Sequence, residues 1–259
     1  MDGAVEDLDP TPAAAEPAGD ACSICGAPAA TFMDLPGRPA VSCPGCGSVE
    51  RHRAFARAFR AHFGGEGSMA GARILALRPN HADKVMLNAF GAARVTTFDA
   101  FPRDNPELVG NPAETGLPDA GFDVVFCNGL LATVRDPGAV IAEMRRVLKP
   151  AGAALIYETM ALDRFTHEIE DRDRQTSWYG EEALDAYGVG LFREWGFADL
   201  EALLGQSFGL GLFDTRDEAS GRRYLWFFGM AAPMAGGPFL DAGQRAALLG
   251  EAGAATGYR

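Results

Sequence analysis

Residues 122–156 read FDVVFCNGLLATVRDPGAVIAEMRRVLKPAGAALI. The first seven are almost continuously apolar, the signature of a strand buried on both faces of a parallel sheet. Residues 136–150 follow with apolar positions on one face of a 3.6-residue period and a proline at the end, which predicts an amphipathic helix. A second apolar run, AGAALIYET (151–159), predicts the next strand. Strand, helix and strand joined by short connections predict neighbouring parallel strands.

The same alternation extends outward. ARILAL (72–77), ARVTTFD (93–99) and the short ELVGN (107–111) read as further strands, and DKVMLNAF between the first two reads as a helix closed by Gly91. Downstream, a helix is expected over EEALDAYGVGLFREWGF, then two last strands, ADLEALLG (198–205) and RRYLWFFGMA (222–231). A final helix is expected over DAGQRAALLG. The fold class is therefore α/β: a doubly wound, mostly parallel seven-stranded sheet with an antiparallel edge strand, binding ligand at the carboxyl ends of its strands.

Upstream, four of the five cysteines form two hooks, CSIC and CPGC, with seventeen residues between them. Each hook can present two thiolates to one tetrahedral ion. Cys22, Cys25, Cys43 and Cys46 are thus read as a structural zinc-ribbon site, with iron as the rival metal and two disulfides as the rival arrangement. The N-terminus has no basic and apolar leader, so a reducing cytoplasm is expected, which disfavours disulfides. Cys127 is read as a buried strand residue. Ser48 can cap the helix VERHRAFARAFRAHF, with Phe55, Phe59 and Phe63 along one stripe. Arg51, His52 and Arg53 are read as a solvated basic face, with a face turned to the cleft to bind an anionic substrate as the rival, His81 as helix entry and His167 as part of a charged loop. The organisation expected is a disordered tail (1–20), the ribbon (21–48), a linking helix and hinge (49–68, ending in GGEGS), the α/β domain (69–232) and a tail with a short helix (233–259).

The 259 residues carry 35 acidic against 23 basic side chains, a formal net charge of −12. A nucleic-acid partner is disfavoured by that charge. No run reaches the roughly 18 apolar residues of a membrane span. H-E-x-x-H and a phosphate-loop lysine are missing, so zinc-protease and nucleotide-phosphate chemistry have no support.

The 122–156 stretch resembles the second half of class I S-adenosylmethionine-dependent methyltransferases, most specifically in GFDVV and RRVLKPAG. CPGCGSVERHR (43–53) resembles a bacterial subgroup in which a Cys-rich knob and an ERHR helix precede that domain. Tyr179-Gly180 matches the subgroup's Tyr-Gly before the final helix, and the likeness runs over roughly residues 20–230. It implies S-adenosylmethionine as cofactor, with Asp99 at the ribose, Asn111 at the adenine amino group and Ala100 among the cofactor-binding residues. Asn128 and Gly129 fall at the pocket floor. The first loop departs from the pattern: Arg78-Pro79-Asn80 stands where the subgroup has Ala-Pro-Glu. Pro79 has no amide to offer, and Arg78 either holds the ligand carboxylate or fills its place. Leu131-Ala132-Thr133 replaces Leu-Glu-His, and RQTSW (174–178) a segment usually basic and His-bearing. The reading is methyl transfer to a small or sugar-like acceptor, with no catalytic residue assigned. The alternatives are a degenerate domain that binds a protein partner and, third, an RNA methyltransferase.

Overall fold

The computed structural model describes residues 21–63, 69–217, 222–230 and 239–254. The expected tail (1–20), the GGEGS hinge and residues 233–238 lie outside them. The Cys-rich segment is a 3-10 turn (Ala29–Thr31) and a hairpin of β1 (Met33–Leu35) and β2 (Arg38–Ser42). Helix α1 (Glu50–Phe63) leads to β3 (Arg73–Leu77), α2 (His81–Ala89), β4 (Arg94–Asp99), β5 (Leu108–Val109) and β6 (Phe122–Asn128). A 3-10 turn (Leu131–Thr133), α3 (Pro137–Val147) and β7 (Leu148–Tyr157) follow. The remainder is β8 (Met160–Ala161), β9 (His167–Glu168), α4 (Arg172–Thr176), α5 (Gly180–Tyr187), β10 (Arg193–Gly196), α6 (Phe197–Gly205), β11 (Gly209–Arg216), β12 (Arg223–Met230) and α7 (Ala242–Ala254).

Seven strands form the main sheet in the order β11-β12-β7-β6-β3-β4-β5. β3, β4, β5, β6 and β7 run parallel. β12 lies antiparallel between β7 and the edge strand β11, to which it is also antiparallel. The expected α/β sheet is thus present, with its antiparallel pair at one end.

Two apolar layers close the sheet. Val140, Ile141 and Met144 of α3 and Leu200 and Leu204 of α6 pack with Leu75, Val125, Ile156 and Phe227. Phe55 and Phe59 of α1 pack with Met86, Leu87 and Phe90 against Ile74, Phe126 and Trp226. The Phe55 and Trp226 ring centroids are 4.1 Å apart. Burying each such side chain contributes about 1.5–3 kcal/mol, so α1 belongs to the sheet's core rather than acting as a tether.

Two local expectations are corrected. Residues 198–205 are helix α6, because Phe197, Leu200 and Leu204 fall on one helical face and are buried together. The strand comes later, at β11. The helix expected over EEALDAYGVGLFREWGF stops at Tyr187, where Gly188 takes φ 67° as a left-handed cap. Its second half instead forms β10, which pairs with β8 and β9 in a small sheet.

Candidate functional site

The four cysteine sulfurs expected to hold metal gather within 4.8 Å of one another. Cys22 Sγ lies 3.7 Å from Cys46 Sγ and Cys25 Sγ 3.5 Å from Cys43 Sγ, so the thiols are free rather than paired in disulfides. A tetrahedral ion with bonds of about 2.3 Å requires sulfurs about 3.8 Å apart, and the donor set fits. Gly26 and Gly47 take φ 76° and 68°, the turn that follows each hook. Ser48 does not cap α1 as expected: its hydroxyl sits 3.3 Å from Cys22 Sγ and 3.2 Å from Cys46 Sγ. Cys127 is fully buried in β6, as expected.

The cap role passes to His52, whose Nδ1 accepts the Val49 N–H at 3.1 Å. The solvated basic face is therefore corrected. His52 and Arg53 are buried because α1 packs between the Cys-rich segment and α2. Arg53 donates to the Val41 and Ser48 carbonyls and lies over the Phe32 ring. With Nδ1 an acceptor, the His52 Nε2–H faces Asp83 Oδ1 at 3.1 Å. Burial drives the His52 pKa down against the pull of Asp83. Asp83 is wholly buried; burial alone would raise its pKa, but the His52 contact, Arg51 and the Asn80 amide outweigh it and hold it down. Asp83 Oδ2 also accepts the Asn128 amide at 2.5 Å and the Asn80 N–H at 3.0 Å. The His52–Asp83 contact and the bonds of Asp83 to Asn128 and Asn80 thus link α1, the β3–α2 loop and the end of β6.

That loop and strand end border a cleft of about 280 Å³ at the carboxyl ends of the parallel strands. Arg78, Asn80, Asp99, Asn128 and Gly129 line it, with Arg51, Arg103 and Tyr179. Pro79 is buried and is not part of the lining. Ala100 and Asn111 border a neighbouring depression of about 750 Å³, and Val189 is shared by both. Asn111 Oδ1 accepts the Ala113 N–H at 3.0 Å, an Asx turn. Asn80 caps α2 through its side chain, and His81 is the first residue of that helix. His167 lies exposed on β9.

Arg78 adopts φ 55°, a left-handed backbone that a side chain rarely takes. Its guanidinium donates to the Gly129 carbonyl and to Thr133 Oγ1, each at 2.6 Å, and lies 4.4 Å from the Tyr179 ring centroid. Asp99, ending β4, is 7% exposed and accepts the Phe101 N–H at 3.2 Å. Burial raises its pKa, opposed by that amide and by Arg78. Neither Arg78 nor Asp99 has an ion-pair partner within 4 Å among the described residues.

Sequence reasoning missed the Asp83 strut, although Asn80-x-x-Asp83 is a legible capping box. It also missed Glu158. This carboxyl follows the apolar run of β7, is 2% exposed and accepts the Leu131 N–H at 2.7 Å. Burial pushes its pKa up to about 7, against the Leu131 and Ala132 amides and the charges of Arg78 and Arg193. An acid directly behind a buried strand was the available signal.

A family model described as a methyltransferase domain matches residues 43–156, which include α1 and the strands that border the cleft. Residues 43–156 are thus similar to a methyltransferase domain. Human thiol S-methyltransferase TMT1B is 33% identical over 94 residues, covering 35% of this chain and 36% of that protein. The match thus spans about a third of the curated relative's length. Among solved structures, a Burkholderia thailandensis 1,6-didemethyltoxoflavin N1-methyltransferase with S-adenosylhomocysteine bound is 20% identical. It covers 69% of this chain and 76% of its own, with a TM-score of 0.48. An Aquifex aeolicus S-adenosylmethionine-dependent methyltransferase is 12% identical over 63% of this chain and 84% of its own, with a TM-score of 0.44. The methyltransferase fold rests here on the strand order and its antiparallel β12.

Proposed function

We propose that the protein transfers the methyl group of S-adenosylmethionine to a small molecule. The observation that carries this is a buried carboxylate, Asp99, beside the Arg78 guanidinium on one cleft, neither with an ion-pair partner within 4 Å among the described residues. A dipolar ligand that brings two hydroxyls and a carboxylate supplies a partner for each. In this reading Asp99 accepts the ribose hydroxyls and Arg78 takes the ligand carboxylate. Asn128 and Gly129 line the reacting end, and Ala100 and Asn111 border the adenine. Asn80 acts by capping α2 and Pro79 by stiffening the loop. The bound sulfonium supplies an electrophilic methyl group. The chain's work is to hold an acceptor atom about 3 Å from it and exclude water.

Zinc at Cys22, Cys25, Cys43 and Cys46 has a structural role in this reading: all four positions are thiolates, leaving no open site for chemistry. The human relative is named for a thiol acceptor, which supports a small nucleophile here. A sugar-like acceptor is less well supported, because it needs several polar side chains facing its hydroxyls. RNA is disfavoured by the net charge of −12.

A second reading has its own observation: Arg78 already donates to Gly129 and Thr133, as a plug would. In that case the domain is a catalytically silent binding module. Thermal unfolding with S-adenosylmethionine separates the two. Ligand at a hundred times its Kd should add about 2.7 kcal/mol to stability, and Asp99→Ala should remove the gain. No stabilisation at any ligand concentration favours the plugged reading.

A further inference from the structure

A second cavity of about 280 Å³ opens beside the cleft and shares Gly129, Thr159 and Trp178 with it. Its remaining wall is largely apolar: Trp195, Met160, Leu191 and Ala132. Two arginines border it, but their charges are engaged. Arg193 donates to Glu168 and to the carbonyls of Leu131, Val134 and Arg135. Arg164, at the exposed rim, pairs with Glu194 at 3.8 Å. The Trp195 indole N–H is buried without an acceptor among the described residues. The buried acid in this wall is Glu158, fixed by the Leu131 amide from the loop that also carries Gly129.

We propose that this cavity is the acceptor site, that its acceptor is a flat aromatic small molecule bearing one dissociable N–H, O–H or S–H, and that Glu158 is the catalytic base. The assignment rests on the methyltransferase reading above. Aromatic and aliphatic walls favour a flat apolar body. With both arginines engaged and a carboxyl in the wall, an anionic acceptor would meet repulsion. A sugar would find too few polar partners.

The step balances without a further reactant. The acceptor's lone pair forms the bond to the methyl carbon, and the carbon–sulfur pair leaves with sulfur. The acceptor proton passes to the Glu158 carboxylate and from there to water. Burial suits Glu158 to this, since a carboxyl pushed up to about 7 both takes and releases a proton near neutrality.

The test uses the full chain and three probes: 2-naphthol, 2-naphthalenethiol and glucose. Calorimetry with S-adenosylhomocysteine reports the cofactor site, ligand-observed NMR saturation transfer reports the cavity, and mass spectrometry reports methylated naphthalene. The parent should bind the neutral naphthalenes, 2-naphthol at any pH tested and 2-naphthalenethiol below about pH 6 where its thiol is protonated, but not glucose. The pH profile is read with 2-naphthol. Ala161→Trp, which fills the cavity from β8, should abolish naphthalene binding and keep S-adenosylhomocysteine. Glu158→Gln should keep both ligands, lower transfer about 100-fold and lose the rise of kcat/KM through pH about 7. Glucose binding without naphthalene binding, binding without any transfer, or an unchanged rate and pH profile in Glu158→Gln overturns the assignment. Failure of the parent to bind S-adenosylhomocysteine instead refutes the methyltransferase reading on which it rests.

Discussion

Replacing Glu158 by Gln should stabilise this protein, and the gain should grow with pH. Glu158 is wholly enclosed, with a pKa pushed up to about 7 from an ordinary value of 4.5. The fold therefore favours the protonated acid. As pH rises from 4.5, the unfolded chain ionises this group freely while the folded chain resists, so stability falls through that window. Above pH 7 the loss is complete. A shift of two to three units at 1.36 kcal/mol each corresponds to about 3 kcal/mol, an upper figure where water reaches the group. Glutamine keeps the size and an acceptor oxygen for the Leu131 amide without the charge. Urea unfolding at pH 5 and pH 8.5 measures the effect. The variant should match the parent at pH 5 and exceed it by about 1–3 kcal/mol at pH 8.5. A pH-independent difference, or a variant weaker at pH 8.5, would show that Glu158 is not held protonated by the fold.

Other outcomes follow from neighbouring contacts. Asp83→Ala should cost about 3–5 kcal/mol in chemical unfolding, since it strands buried His52 and Asn128 at once; a loss below 1 kcal/mol would dismiss the strut. Cys43→Ser should release the metal and lower the melting temperature, as thiolate binding supplies folding free energy; unchanged metal content by atomic absorption would contradict the four-thiolate site. Gly196→Ala should destabilise by about 1–3 kcal/mol, because the added Cβ would sit 2.3 Å from the Arg164 carbonyl, a backbone atom that cannot swing aside. A melting curve identical to the parent's would show that the β10 junction yields.

The central strands and α3 were legible because two apolar runs flank a segment with a different period. Even there, α3 ends at Val147 and β7 starts at Leu148, so Pro150 lies within a strand rather than at a helix end. Residues 198–205 misled because eight residues rich in leucine suit either period. The small sheet of β8, β9 and β10 could not be read, since its strands are two to four residues long and their pairing is set by distant chain. The cysteine cluster was legible because a metal site repeats a local spacing. His52 looked solvated because its partner, Asp83, lies 31 residues on, and only the packing of α1 against α2 buries the pair. Arg78 was legible as a departure, yet its direction was not, since that depends on Gly129 and Thr133.

Isothermal titration of the zinc-loaded protein with S-adenosylhomocysteine reads directly whether the cleft between Arg78 and Asp99 holds S-adenosylmethionine. Micromolar binding is expected, abolished by Asp99→Ala and weakened by Arg78→Ala. No heat up to millimolar ligand, or binding indifferent to Asp99→Ala, would contradict it.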